Sequence, residues 1–206
     1  MSREKILHTA QKIFAKKGFK AATTKEIAEK AKINKAMIYY YFKNKEELYL
    51  EVLKNFFGKI SSSFSDVSSL ELNPPEKFKI FISEYIDIIS KNRDMPPFIL
   101  HCFLSGKKQV LNALKEIVVP LYQKAFSLFQ EGKENGYFND LDFKNVSTTV
   151  VGGIVFYFVA SPLFSLIWDE DPLSEEKIAK KKKELIKLLE QGLVKDEKQS
   201  RSKEEK

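Results

Sequence analysis

A chain of 206 residues, 43% of them hydrophobic, is long enough to bury a core and too apolar to be disordered throughout. Seven Pro and eight Gly are few for that length, which argues against a turn-rich β architecture and favours long helices. Cys102 is the only cysteine and residues 1–19 contain no apolar run, so we expect a cytoplasmic protein without a disulfide framework or a secretory signal.

Positive charge is concentrated at the amino-terminal end of the chain. Residues 1–48 contain 12 Lys and Arg against five Asp and Glu, a net charge of +7 that equals that of the whole chain. The positive and negative charges of the other residues therefore cancel. A basic segment of this kind attracts a polyanion such as DNA, although a solvated, lysine-rich surface would give the same count.

The first 20 residues predict a helix whose apolar side chains share one face, and Gly18 can end it. These side chains are Ile6, Leu7, Ala10, Ile13 and Phe14. We expect this face to form a small core with apolar residues of the segment that follows. Those are Ile27, Ala31, Ile33 and Ile38.

A short helix, a three-residue turn and another helix are predicted between residues 24 and 42. Thr24 is a suitable N-cap for a helix that ends at Ala31, and Asn34 is a suitable N-cap for Lys35–Phe42. Two short helices joined in this way are typical of a helix-turn-helix.

The second helix of this motif has an unusual outer surface. When Ile38 faces inward, a step of 100° per residue turns four side chains outward or sideways: Ala36, Met37, Tyr39 and Tyr40. Exposed tyrosines and a methionine suit a DNA major groove, which accepts an α-helix and presents thymine methyl groups. Tyr41 and Phe42 are expected to belong to the core instead.

The rest of the chain predicts about six further helices. The complete sequence therefore predicts an all-α fold of about nine helices. The fourth starts near Lys45 and its apolar face ends at Phe64, so the serine-rich residues 61–69 are interpreted as a linker. Asn73, Pro74 and Glu76 form a capping-box start for the fifth helix. Pro96 and Pro97 open a sixth that ends at Leu104, and a long seventh, with Pro120 inside it, runs to about Asn135.

The last two helices are expected at 142–161 and 174–194. Residues 145–168 carry no charge, a run long enough to cross a bilayer. Gly152, Gly153 and several polar residues interrupt it, which favours a helix buried between two subunits over a membrane span.

The segments Thr23–Ala28 and Ile33–Leu48, with Phe14–Phe19 before them, resemble the signature of the TetR family of transcriptional regulators. The resemblance is dense over about residues 3–50 and rests on helix number and length beyond them. It implies a three-helix, helix-turn-helix DNA-binding domain at 1–46 and a helical ligand-binding and dimerisation domain at 47–195. A charged tail at 196–206 should be disordered.

The same resemblance implies a homodimeric repressor that binds an inverted-repeat operator in double-stranded DNA and releases it when a small-molecule effector binds. The last two long helices of this family form the dimer interface. With the outward-facing Ala36, the DNA-binding positions are Thr24, Lys25, Lys35, Met37, Tyr39, Tyr40 and Lys45, of which Lys45 matches a lysine that meets phosphate. Tyr40 stands where histidine is frequent, so the preferred bases stay open.

An effector pocket is predicted from aromatic residues that recur at helical spacing in the second domain, together with the few polar groups near them. The candidates are Phe57, Phe81, Tyr85, Phe98, His101, Cys102, Tyr122, Phe126 and Phe158. Because charged candidates are scarce, a bulky and largely apolar effector is expected. His101 lies on an otherwise apolar segment, and we interpret it as a core histidine rather than a ligand-binding one.

An enzyme is the principal alternative, but the chain has two histidines, no glycine-rich phosphate loop and no cluster with metal-ligand spacing. We therefore expect no catalytic residues, no metal and no cofactor. A nonspecific, architectural DNA-binding protein would explain the basic segment but not the aromatic second domain. Activation of transcription instead of repression stays open.

Overall fold

The computed structural model describes residues 2–104, 106 and 108–195, and these residues form ten helices. The helices are α1 (Ser2–Ala21), α2 (Thr24–Ala31), α3 (Lys35–Tyr41), α4 (Lys45–Ser68), α5 (Pro74–Lys91), α6 (Met95–Leu104), α7 (Lys108–Glu134), α8 (Phe143–Val159), α9 (Ser161–Trp168) and α10 (Glu175–Leu193). The only extended pairing in the described part of the chain is an isolated bridge between Phe138 and Val194. The all-α prediction is confirmed, and the predicted tail at 196–206 lies outside the described residues.

The structure has one helix more than the sequence predicts. The additional helix is α9, which follows α8 after a bend of 67°. Pro162 has no N–H with which to continue the hydrogen bonds of α8, and the Phe158 carbonyl accepts a bond of 2.9 Å from the Ser161 hydroxyl instead. No single described helix is long and apolar enough to cross a membrane. By length and composition, only the bent pair of α8 and α9 together is.

The serine-rich segment is helical, so its interpretation as a linker is wrong. α4 continues to Ser68, and Phe64 and Val67 of its last turns are buried. The Ser65 and Ser68 hydroxyls donate to the carbonyls four residues earlier, at 2.9 and 2.8 Å. Burial of the apolar side chains outweighs the low helix propensity of serine.

The predicted helix starts are confirmed for α3 and α5 and shifted for α2. Asn34 Oδ1 accepts from the Ala36 N–H at 2.9 Å, and Asn73 and Glu76 form a reciprocal capping box at 3.0 and 3.1 Å. The N-cap of α2 is Thr23, whose hydroxyl accepts from the Glu26 N–H at 3.1 Å. Thr24 is thus the first residue inside the helix, and its hydroxyl is free for another role.

The described chain divides into two compact units. The first contains the residues up to Ile60 together with Asn92–Pro120, and the second contains Ser61–Lys91 and the described residues from Leu121 onward. These units follow packing within the chain, and the predicted functional boundary near residue 46 stays a prediction.

The core of the first unit includes the predicted packing of α1 against the helix-turn-helix. Ile13, Phe14, Ile27, Ala31 and Ile38 are all at most 3% exposed, as expected, whereas Ile33 is only half-buried. An aromatic cluster extends this core. Phe14, Tyr49 and Phe98 have ring centroids 4.7 to 5.9 Å apart.

Cys102 of α6 lies in the same core, and its sulfur is 2.9 Å from the Tyr49 hydroxyl. Burial raises the pKa of the Cys102 thiol from 9.0 to about 11, and burial also raises the pKa of Tyr49. The folded state therefore holds these protons more tightly than the unfolded state. We expect the free energy of unfolding to fall as the pH rises from about 9 to about 11.

This pH dependence is measured by urea denaturation between pH 7 and pH 11. Cys102→Ala should lose part of the decrease above pH 9. An identical alkaline decrease in wild type and Cys102→Ala would contradict a contribution from this thiol.

The second unit has its own aromatic core, in which α7, the following turn, α8 and the end of α10 meet. Phe129, Phe138, Phe143 and Leu193 are buried together. Gly132 of α7 permits this packing, since a Cβ atom there would lie 2.2 Å from the Phe138 ring. α7 continues past Pro120 as one helix.

Candidate nucleic-acid interface

α2 and α3 are joined by a tight turn that requires a left-handed residue. Lys32 has φ 52° and ψ 50°, and its N–H donates to the Glu29 carbonyl at 3.0 Å. The next N–H, of Ile33, donates to the Ala28 carbonyl at 3.0 Å. These bonds close the carboxyl end of α2 and direct the chain into α3.

α3 presents the face that the helical periodicity predicts. Ile38 is fully buried, whereas Tyr39 is 50% exposed and Tyr40 is 78% exposed. Lys35 and Ala36 are also exposed, and Met37 is half-buried. The predicted contact residues of α3 are therefore accessible, with Met37 the least so.

Tyr39 is held in place by residues of both helices. Its hydroxyl lies 3.1 Å from the Thr24 hydroxyl of α2, and the Lys35 ammonium lies 5.6 Å from the centre of its ring. The Thr24 hydroxyl is available for this bond because Thr23 caps the helix. Three predicted DNA-binding residues are thus brought together at one place by their own contacts.

The lysines of the first unit differ in how far acidic groups neutralise them. Lys17 and Lys30 both pair with Glu26, and the hydrogen bond from Lys17 lowers the pKa of that carboxyl. Lys25, which is a predicted DNA-binding residue, is exposed, and its ammonium makes only a long ion pair of 4.0 Å with the Glu29 carboxylate. Lys35 makes no ion pair within the described residues, so its charge is available to a phosphate or a base.

Lys45 has a structural role that the sequence did not indicate. Its ammonium donates to the carbonyls of Phe19 and Ala22, each at 2.8 Å, and lies 4.4 Å from the Phe19 ring. The Phe19 carbonyl lies in the last turn of α1, after its kink at Gly18, and the Ala22 carbonyl lies just beyond the helix. Two of the three N–H donors of Lys45 are therefore occupied before any phosphate approaches.

Lys45→Met is expected to reduce the free energy of unfolding by about 2–3 kcal/mol, because it removes charged hydrogen bonds to two carbonyls. Urea denaturation measures this change. Lys43→Met is the matched control, since Lys43 is exposed and makes no side-chain hydrogen bond or ion pair in the described chain. If Lys45→Met keeps the stability of wild type and the slope of log K for DNA against log salt concentration falls by about one unit, Lys45 contacts a phosphate and has no structural role.

Four of the predicted effector residues lie in the first unit. Phe98 and Cys102 are fully buried against Phe14 and Tyr49, where they are part of the core. His101 is exposed, so its interpretation as a core histidine is wrong. Phe57 is half-buried and contacts Phe56 with ring centroids 5.5 Å apart.

The other five lie in the second unit and form three separate groups. Phe81 stacks on Tyr85 at 6.2 Å, and burial raises the pKa of Tyr85. Tyr122 and Phe126 are 39% and 40% exposed and both pack against Phe143. Phe158 is buried and borders a small apolar cavity with Ile86, Ile154 and Ile178. Neither unit by itself brings all of its candidates into one pocket.

A sequence model of the bacterial regulatory proteins of the tetR family matches residues 6–52, from α1 into the first part of α4. This match covers the amino-terminal segment of the chain, where the sequence resembles the TetR family. The matched segment contains the whole helix-turn-helix of α2 and α3.

The curated relatives that the chain matches are HTH-type transcriptional regulators. The repressor NicS of Pseudomonas putida is 28% identical over 151 residues, which are 68% of this chain and 66% of NicS, just under two thirds. The regulator QacR of Staphylococcus aureus is 27% identical over 161 residues, 74% of this chain and 84% of QacR. The solved structure of the ketosteroid transcriptional regulator KstR2 of Mycobacterium tuberculosis has a TM-score of 0.75 and 20% identity, over 95% of this chain and 96% of that chain. This chain and KstR2 therefore have the same fold.

Proposed function

We propose that the protein is a transcriptional repressor in the cytoplasm that binds an inverted-repeat operator as a homodimer and releases it when a small, largely apolar molecule binds. The observation that carries this proposal is the outer face of α3, where Tyr39 and Tyr40 are exposed beside a lysine without an acidic partner. In the described protomer Tyr39 stays 50% exposed and Tyr40 stays 78% exposed, and a major groove fits the apolar and hydrogen-bonding surface that they present.

The proposed DNA contacts divide into two classes. Ala36, Met37, Tyr39 and Tyr40 meet base edges and thymine methyl groups, whereas Thr24, Lys25 and Lys35 meet the phosphate backbone. Lys45 holds the head together and contributes at most its third donor to a phosphate. Two heads bind successive major grooves about 34 Å apart, which requires a dimer.

The proposed dimer surface is the exposed apolar side of α8 and α9 together with α10. Six large apolar side chains on α8 and α9 are 45–83% exposed: Val151, Phe156, Leu163, Leu166, Ile167 and Trp168. Gly152 and Gly153 are exposed as well, and a Cβ atom on either would meet nothing within 4 Å. A second copy of the chain would cover this surface, and the glycines would let its helices approach closely.

Effector binding acts on the operator through linkage. A ligand that favours a different position of α4 lowers the affinity for DNA, and DNA lowers the affinity for the ligand by the same factor. The coupling free energy between two such sites is typically about 1–3 kcal/mol. α4 suits this role because it is one continuous helix that begins directly after α3 and is 24 residues long. Phe81 and Tyr85 of α5 are the most suitable of the predicted effector residues, since they are half-buried rather than closed into a core.

Selection of bound duplexes from a random pool tests this function directly. We expect enrichment of an inverted repeat whose half-sites lie about one helical turn or a multiple of it apart. Enrichment of a single half-site would contradict dimeric binding, and a pool that stays random would contradict specific recognition.

A further inference from the structure

A polar cleft in the second unit is not explained by operator binding or by dimerisation. It lies where the end of α4, the start of α5 and the middle of α7 meet. Six of its lining residues are Phe64, Ser65, Ser68, Lys77, Lys124 and Ser127. None of them belongs to the effector residues that the sequence predicts.

Two ammonium groups line this cleft without a carboxylate partner. Lys124 Nζ donates to the Ser65 hydroxyl at 3.0 Å, and Lys77 Nζ donates to the Ser68 carbonyl at 3.1 Å. Neither makes an ion pair within the described residues. Glu131 also lines the cleft, but it forms no ion pair with either lysine in the described part of the chain. Each lysine is thus held by a neutral oxygen and keeps further donors for an anion.

The floor of the cleft is apolar and its walls are hydroxylic. Phe64 is 3% exposed and Leu128 is 7% exposed, whereas Ser65, Ser68 and Ser127 are exposed around them. The Phe64 ring is 4.6 Å from the Phe81 ring, which in turn stacks on Tyr85. Cationic and hydroxyl groups therefore lie next to a row of aromatic rings.

We propose that this cleft binds the phosphate or carboxylate group of a small organic anion, with the apolar part of the ligand against Phe64. The two ammonium groups supply the donors that an oxyanion requires, since each has three N–H bonds and gives only one of them to a neutral oxygen. This assignment rests on the proposed function, because it specifies the effector as an amphiphile with an anionic head.

Isothermal titration calorimetry on the full chain tests the proposal with three probes: inorganic phosphate, decanoate and decanol. We expect decanoate to bind more tightly than both, since phosphate lacks the tail and decanol lacks the charge. Lys77→Gln/Lys124→Gln should weaken decanoate binding by at least about tenfold for each charged contact that is lost. Lys91→Gln is the matched control, because Lys91 is an exposed lysine at the other end of α5.

Equal affinity of the double variant and wild type for decanoate would overturn the assignment, and so would equal affinity of wild type for decanoate and decanol. Single Lys124→Gln and thermal melting of each variant separate loss of the site from loss of the fold. Operator binding is measured on the same preparations. A wild-type protein that binds operator but no anion refutes the cleft alone, and one that binds no duplex refutes the regulator function independently.

Discussion

Tyr39→Ala is expected to weaken operator binding by about 10- to 100-fold, the effect of losing one good base contact. The ring is 50% exposed on α3, so its removal costs little packing within the protomer. Tyr39→Phe keeps the ring and loses only the bond to the Thr24 hydroxyl, so its effect should be smaller. Gel-shift titration with the selected operator measures both.

Tyr137→Ala is the control for this series, because Tyr137 is a 40% exposed tyrosine in the second unit. It should leave operator affinity unchanged. Operator affinities of Tyr39→Ala and Tyr40→Ala that both equal that of wild type would refute the assignment of α3 as the recognition helix.

Gly153→Leu is expected to convert the proposed dimer into a monomer and to abolish tight operator binding. A Cβ atom at this position would meet nothing within 4 Å in its own protomer, and leucine is favoured over glycine in a helix by roughly 1 kcal/mol. The isolated protomer should therefore be at least as stable as before. Only a partner helix that packs closely against α8 would be displaced, and the second head would be lost with it.

Sedimentation equilibrium measures the association, and gel-shift titration measures its consequence for DNA binding. Gly58→Leu is the matched control, since Gly58 is an exposed glycine within α4 and a Cβ atom there would also meet nothing within 4 Å. A Gly153→Leu protein that stays dimeric at micromolar concentration would place the dimer surface elsewhere.

Local features of this fold could be predicted because they depend on residues close in sequence. The caps at Asn34 and Asn73 and the inward face of Ile38 need only the helical period and short polar side chains. The predicted cap of α2 lies one residue too late, because Thr23 and Thr24 are adjacent and have the same chemistry. The sequence alone does not distinguish which of the two hydroxyls reaches back to the helix.

Features that depend on distant contacts could not be predicted. Lys45 reaches carbonyls 23 and 26 residues earlier, and Phe98 joins a core formed by α1 and α4. An aromatic residue at helical spacing gives the same signal whether it closes a core or lines a pocket. The predicted effector residues therefore belong to a set that the fold divides among several packing groups.

The capping of α1 by Lys45 has a mechanical consequence. The first turn of α4 is bonded to the end of α1, while Arg3 near the start of α1 pairs with Glu51 of α4 and lies 5.4 Å from the Phe42 ring. The first two turns of α4 are thus bonded to both ends of α1. We therefore expect a displacement of the start of α4 to move α1 with it, rather than to change the position of α3 alone.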